Sequence, residues 1–505
     1  MALQKNLFEY LEHSAAQYGD KVAFADPKNA YTFRSLLHAA EAIGTFIMTR
    51  TNALNRPIAI LVERSALSLA GFMGILASGN YYVPIDRDMP PRRLEMILRQ
   101  LRPAALLGPR DAEEDMDHFA AMCPVFTLEE AQRANPVTMF LTARRQMVLD
   151  IDPAYVIYTS GSTGVPKGVL KTHGAMQSYI AAFTARYPAT PADALGNQTP
   201  FFFDASAKDL YWMLHDGCRL EVLDTGLFSQ PYHLIEYLND RHITLISWVP
   251  SALVIVSQLD TFADILPNYL RAVFFIGEVF PMKHFLIWQN ALPGVKFVNL
   301  YGQSELAGAC CYYEVDRAFT PDDTLPIGRP FANAEVFLLD GDRVVTEPGQ
   351  IGEIGIVSPA LAAGYFGDAE KTAAAFGTFC DHGRTLRLFR TGDMARYTPE
   401  GLLVFAARCD AQIKHMGYRI ELGEIEAAAN SLPEITGCAC LYDTAKNRIV
   451  LFCTVQDGAT KASLRKALRE KLSTYMIPSK IEILPQLPRN ANGKTDRVLL
   501  RTLLP

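Results

Sequence analysis

The sequence lacks an uninterrupted apolar run of membrane-spanning length, paired Cys-x-x-Cys knuckles, internal repeats and low-complexity tracts. Each absence excludes something. The longest membrane candidate, Ala66 to Ile85, is broken by Ser, Asn, three glycines and Pro84. It reads as a helix over 66–77, a stop at Gly79 and a strand "YYVPI". Nine cysteines make an odd count, and Cys310-Cys311 and Cys438-x-Cys440 suit neither a zinc site nor a disulfide framework. Reduced thiols in a cytoplasmic protein are the expectation. The first twenty residues, "MALQKNLFEYLEHSAAQYGD", form an amphipathic helical pattern without the continuous core of a signal peptide. Charged residues make up 20% of the chain and the net charge is −6, so no cationic excess favours nucleic acid. The charge is uneven: residues 411–505 carry +5 and the remainder −11. That basic stretch is either a solvated face or a docking surface for an acidic partner.

At 505 residues the chain exceeds one ordinary core. Strand and helix patterns alternate first: "IAILVE", helix 66–77, "YYVPI", helix 91–101, "AALLG". The alternation returns through "RLEVLD", helix 231–240, "ITLISWV", helix 251–258 and "LRAVFFIG", which predicts layered α/β structure with parallel strands. After about residue 320 short strands and turns replace it and predict a β-rich barrel or sandwich layer. Beyond Asp410, "LGEIEAAANSL", "CACLYD", "RIVLFCTV" and helix 460–472 predict a compact α+β module. The expected architecture is a large N-terminal α/β domain with a β-rich subdomain over residues 1–409. A small C-terminal domain over 410–505 follows, hinged near Asp410.

The segment "VIYTSGSTGVPKGV" is a strand entering a loop rich in glycine and hydroxyls. Small residues let backbone amides approach an anion closely, and Ser and Thr add donors. Lys167 supplies charge. No Gly-Lys-Ser/Thr stands at the Walker offset, which excludes the common nucleotide P-loop. A linker, in turn, requires neither lysine nor this order of hydroxyls. The segment resembles the phosphate loop of the adenylate-forming superfamily: acyl-CoA synthetases, luciferases and the adenylation domains of peptide synthetases. "NLYGQSE", "GEIGIVSPALAAGY", "RTGDMARY", "IKHMGYRIELGEIE" and "PRNANGKTDR" resemble its later motifs, in order. "GYRIELGEIE" and "NGKTDR" are the more typical of peptide-synthetase domains.

The resemblance implies that ATP and a carboxylic acid form an acyl-adenylate and pyrophosphate, with transfer to a thiol afterwards. Thr159, Ser160, Gly161, Ser162, Thr163, Gly164 and Lys167 would then hold the β- and γ-phosphates. Glu305 would be the carboxylate associated with Mg2+, a hard ion that prefers oxygen ligands; an isolated Glu is otherwise a surface residue. Asp393 would accept from the ribose hydroxyls and Arg408 would assist beside it. Tyr301 would flank the adenine, with Gly302 in the same turn, while Ser304 and Thr159 reach phosphate oxygens. Lys494 would be the catalytic lysine bridging carboxylate and α-phosphate, swung away for thiol transfer by rotation about Asp410.

"FFFDASAKDL" carries the substrate signal. By resemblance Asp204 pairs with the α-ammonium of an amino acid; the plainer reading is an Asp capping a helix. Ala205, Lys208, Ser247, Phe274, Ile276, Leu300, Gly308 and Ala309 would line the side-chain pocket. Most are apolar, and Lys208 either reaches a polar group or snorkels outward. Four residues depart from the family pattern: "YGQSE" replaces Tyr-Gly-Pro-Thr-Glu at Gln303 and Ser304, Ala407 stands for glycine, and Met416 for arginine. The chain ends eleven residues after Lys494 with no Leu-Gly-Gly-x-Ser carrier string and no His-His-x-x-x-Asp-Gly. A free-standing ligase that loads a separate phosphopantetheine carrier protein is therefore expected, similar to D-alanine–carrier protein ligases. Ile276 stands where those enzymes tend to have cysteine, so D-alanine is one candidate among several. The alternatives are an acyl- or aryl-CoA ligase acting on a non-amino acid, and a catalytically silent nucleotide-binding protein, against which Lys167, Glu305, Asp393 and Lys494 argue.

Overall fold

The computed structural model describes residues 5–161, 166–409, 412–456, 458–489 and 495–504. The chain forms two compact units. The first comprises Met1–Arg87, Leu101–Ile157 and Gly168–Cys409; the second comprises Asp88–Gln100, Tyr158–Lys167 and Asp410–Pro505.

The first unit is built on three sheets. Strands Lys296–Gly302, Ala272–Ile276, Leu245–Trp248, Ala194–Asn197, Arg219–Val222 and Val22–Ala25 run parallel in that order within a nine-stranded sheet. Antiparallel strands close both its edges. A seven-stranded sheet has Tyr81–Asp86, Pro57–Val62, Ala105–Gly108 and Val125–Thr127 in parallel, with Pro153–Thr159 beside Tyr81–Asp86. "PIAILV" and "AVFFI" are buried at every position. Continuous apolar strands of this kind belong to parallel sheets covered on both faces.

The span once readable as a membrane segment resolves as expected into helix Ala66–Ala77, Gly79 at φ +77, and strand Tyr81–Asp86. That helix is apolar on all sides and, except at Leu67, buried on all sides, because it packs inside the main core. Among the described residues no helix is long and apolar enough to cross a membrane.

The β-rich region is an antiparallel sheet ordered Arg343–Val345, Glu335–Asp340, Ile351–Val357, Arg384–Tyr397 and Phe376–Asp381. Leu403–Arg408 pairs with Arg384–Tyr397 as well. Leu338, Ile354, Ile356 and Phe389 of this sheet share one core with Tyr301 and Leu306.

Gly328 joins the layers: its N–H and Leu403 O, and its O and Leu403 N–H, pair across an isolated bridge. Its φ is +87, and a Cβ there would lie 1.9 Å from Tyr312 O. Gly328→Ala is therefore expected to destabilise the first unit by about 2–3 kcal/mol, since both backbone strain and a backbone clash oppose it. A chemical-denaturation midpoint equal to wild type would refute this.

In the second unit, strands Ile435–Asp443 and Arg448–Val455 pair antiparallel and Lys480–Ile483 adds in parallel. Helices Leu422–Asn430 and Lys461–Arg469 close a core around Ile425, Leu451, Leu464 and Leu468. A hairpin, Gln412–His415 with Tyr418–Glu421, turns through Met416 at φ +53 and Gly417 at φ +81. Two residues of positive φ match the twist of a tight hairpin. Met416, 52% exposed, sits at its tip.

Candidate active site

In the first unit, "YGQSE" begins on the last residues of strand Lys296–Gly302, an interior strand of the nine-stranded sheet, and continues past its C-terminal end. Open α/β sheets bind ligands at that end of their strands. Tyr301 Oη donates to Asp393 Oδ2 at 2.6 Å, and Gln303 Nε2 donates to the same oxygen at 2.6 Å. Arg408, facing Asp393 in the register of the antiparallel sheet, donates through Nη1 to Oδ1. Asp393 is fully buried and so requires such partners.

The three residues expected around the nucleoside thus converge. Gln303, at the departure from the family's proline, joins them and was missed by sequence reasoning. Its Oε1 is buried and has no hydrogen-bond partner. Two of these donors share Oδ2 and one takes Oδ1, which leaves one of the carboxylate's roughly four acceptor positions.

Two residues on, Glu305 is fully buried and its Oε1 accepts from Tyr365 Oη at 2.7 Å. Among the described residues no group of three His, Cys, Asp or Glu could hold a metal ion by itself. One buried carboxylate does fit a magnesium ion that takes its other ligands from phosphate and water. Ser304, next to it in sequence, and Gly302 are each half-buried.

Asp204 opens helix Asp204–Asp216, yet its side chain makes no cap bond there. Lys171, from strand Lys167–Thr172, takes it instead. Lys171 Nζ lies 3.0 Å from Oδ1 and 3.1 Å from Oδ2, and Tyr155 Oη is 3.4 Å from Oδ1. Nζ also donates to Leu306 O. Burial pulls the Lys171 ammonium down and pushes the Asp204 carboxyl up; each charge opposes the other's shift, and Glu305 acts on both.

Lys208 does not snorkel. It is 2% exposed, its ammonium pairs with Asp209, and it donates to Ser247 Oγ at 2.8 Å. Asn197 Nδ2 holds the other Asp209 oxygen at 2.9 Å. Ser247 stands opposite Phe274, and Ile276 opposite Leu300, in the sheet register. Phe274, Ile276, Leu300 and Ala309 are all buried, and Ala205 is half-buried at the start of the helix. A Cβ at Gly308 would lie 2.3 Å from the Tyr179 ring, so this position is glycine for packing.

In the second unit, Ser160 Oγ donates to Arg419 O at 2.7 Å and accepts from Glu421 N–H at 3.2 Å. Gly161 N–H donates to Glu424 Oε2 at 3.2 Å, while Arg93 pairs with Glu424 through the other oxygen. An oxyanion thus already sits on a loop amide, the behaviour expected of an anion-binding turn. Thr159 Oγ1 is buried with no hydrogen-bond partner. Lys167 is half-buried and partnered. Ser162, Thr163, Gly164, Asp410 and Lys494 lie outside the described residues.

The AMP-binding enzyme family model matches residues 11–366, and the AMP-binding enzyme C-terminal domain matches 424–494. Tyrocidine synthase 3 of Brevibacillus parabrevis is 31% identical over 98% of this chain, which covers 8% of that protein. Enterobactin synthase component F of Escherichia coli strain K12 is 29% identical over 98% of the chain, covering 39% of its length. The chain thus spans well under half of these curated relatives. Among solved structures, holo-PA1221, described as an NRPS protein containing adenylation and PCP domains, is similar at TM-score 0.83 and 26% identity. That likeness covers 98% of this chain and 84% of the other. A double mutant of o-succinylbenzoate CoA synthetase from Bacillus subtilis shares the fold at TM-score 0.83 and 20% identity, over 99% and 98% of the two chains. The chain belongs to the AMP-binding enzymes, the adenylate-forming ligases.

Proposed function

We propose that the protein joins a carboxylic acid to AMP at the expense of ATP, releasing pyrophosphate, and then passes the acyl group to the phosphopantetheine thiol of a carrier protein. The observation that carries this reading is the buried polar cluster at the end of one strand, where Tyr301 and Gln303 meet Asp393 and Arg408 beside Glu305. The adenylation–PCP arrangement of holo-PA1221 supports a carrier as acceptor. No disulfide joins any of the nine cysteines, which accords with a reducing, cytoplasmic setting.

Formation of the adenylate brings two anions together, so positive charge must meet the α-phosphate and the departing pyrophosphate. Lys167 and the amides of loop 159–164 hold the terminal phosphates. Lys494 bridges the incoming carboxylate and the α-phosphate, and Asp393 with Arg408 orients the ribose. Magnesium, held by Glu305, would neutralise phosphate charge when bound. In the second step a thiolate attacks the acyl carbon and AMP leaves; Asp410 is the hinge for the change between steps.

The acid's class turns on Asp204. A free carboxylate there selects α-amino acids, as the family resemblance implies. Acyl or aryl acids are the second reading, favoured by the ammonium of Lys171 already seated on that carboxylate.

Acid-dependent exchange of pyrophosphate into ATP, followed by loading of a holo carrier, tests the assignment. Faster acyl transfer to free CoA than to any carrier would make the protein a CoA ligase. Thr159→Val is expected to raise the KM for ATP about tenfold with kcat little changed, the worth of about one hydrogen bond. An unchanged KM would remove Thr159 from the phosphate site.

A further inference from the structure

We infer that the acid pocket accepts a carboxylic acid whose α carbon bears an uncharged substituent, a hydroxyl fitting best, because Lys171 of the chain itself takes the place of a substrate ammonium on Asp204. The inference rests on the proposed adenylation and names its substrate class.

Donors, acceptors and charge at this pair can be counted. Lys171 has three N–H donors and all three are committed, to Asp204 Oδ1, Asp204 Oδ2 and Leu306 O. It is fully buried, so no water completes or replaces that set. Asp204 Oδ1 accepts twice, from Lys171 and Tyr155, whereas Oδ2 accepts once. One acceptor position therefore remains, with no net charge behind it. Burial acts on both partners toward their neutral forms. Whether the proton rests on nitrogen or oxygen, the pair sums to zero.

A substrate ammonium arriving here would meet a second cation sharing one carboxylate, in a setting that solvates neither. A hydroxyl would donate to Oδ2 and add no charge. Glu305, the other anion near the pair, is occupied by Tyr365 and is required for phosphate chemistry. The side-chain end of the pocket follows the same rule, since Lys208 is cancelled by Asp209. The helix bearing Asp204 thus offers the substrate two buried cation–anion pairs and no unmatched charge.

The test uses the intact protein in pyrophosphate exchange with matched sets of acids that share one side chain and carry an α-amino (L and D), α-hydroxy or unsubstituted α carbon. Wild type is expected to favour the α-hydroxy acid by at least tenfold in kcat/KM over the matched amino acid. Lys171→Met, which frees Asp204, is expected to move that ratio toward the amino acid by about a hundredfold, and Lys171→Arg to leave its direction unchanged. Wild-type preference for any α-amino acid overturns the inference, as does a Lys171→Met protein with an unaltered ratio. The wild-type panel decides even if Lys171→Met fails to fold. Absence of exchange with every carboxylic acid would instead defeat the adenylation reading itself.

Discussion

Replacing Lys494 with alanine will lower acid-dependent pyrophosphate exchange by about a hundred- to a thousandfold, while transfer of the acyl group from a supplied adenylate stays within about threefold of wild type. The asymmetry follows from charge. Two unit anions about 4 Å apart at an effective dielectric near 20 repel by about 4 kcal/mol, close to a thousandfold in rate. A bridging ammonium removes that repulsion only while carboxylate and phosphate approach each other. In the second step the electrophile is an acyl carbon already bonded to phosphate, and the thiolate needs no cation between itself and a second anion. Lys494→Arg should recover part of the exchange, because it restores charge but not the compact geometry of an ammonium. The measurement is exchange at saturating ATP beside single-turnover transfer from synthetic adenylate, using the acid that wild type activates best. Equal loss in both assays by a folded variant would overturn the role given to Lys494.

Much of the architecture was legible because it is written in short periods. The run "IAILVE" reads as a strand from its own apolar, β-branched residues and the segment from Ala66 as a helix stopped at Gly79; neither needs a distant partner to be inferred. The phosphate loop was legible from its glycines, hydroxyls and lysine, and "YGQSE" through its resemblance to a family motif. What escaped is pairwise and long-range. Lys171 lies in "GVLKTHG", an ordinary alternating strand, and only the fold brings it to a helix beginning 33 residues later. Asp209 lay within a segment already singled out, yet nothing local says that it, rather than substrate, answers Lys208. Gln303 stood out in the sequence only as a departure from the family's proline and proved to be a hydrogen-bond donor to Asp393. Sequence reasoning located Asp204 and Lys208; their partners, Lys171 and Asp209, needed the tertiary structure.

That pairing makes Asp209→Ala the substitution with the largest expected effect on stability, about 3–5 kcal/mol, because it strands a buried ammonium. Lys208 is 2% exposed and Asp209 1%, so solvent cannot substitute for the lost carboxylate. Ser247 Oγ alone would remain as a hydrogen-bond acceptor for the charge, with the Phe183 and Trp212 rings 5.8 and 5.6 Å away. Asn197 Nδ2 would lose its acceptor as well, adding an unsatisfied buried donor. Removing both charges separates these causes. Lys208→Met with Asp209→Leu is expected to recover at least half of the loss, since a matched pair of apolar groups leaves no unpaired ion behind. The three tryptophans of the chain, Trp212, Trp248 and Trp288, all lie buried in the first unit. Their fluorescence during urea unfolding therefore reports this unit alone. An Asp209→Ala midpoint indistinguishable from wild type would mean that Lys208 finds another anion or leaves the core. The charge balance assigned to the helix from Asp204 would fall with it.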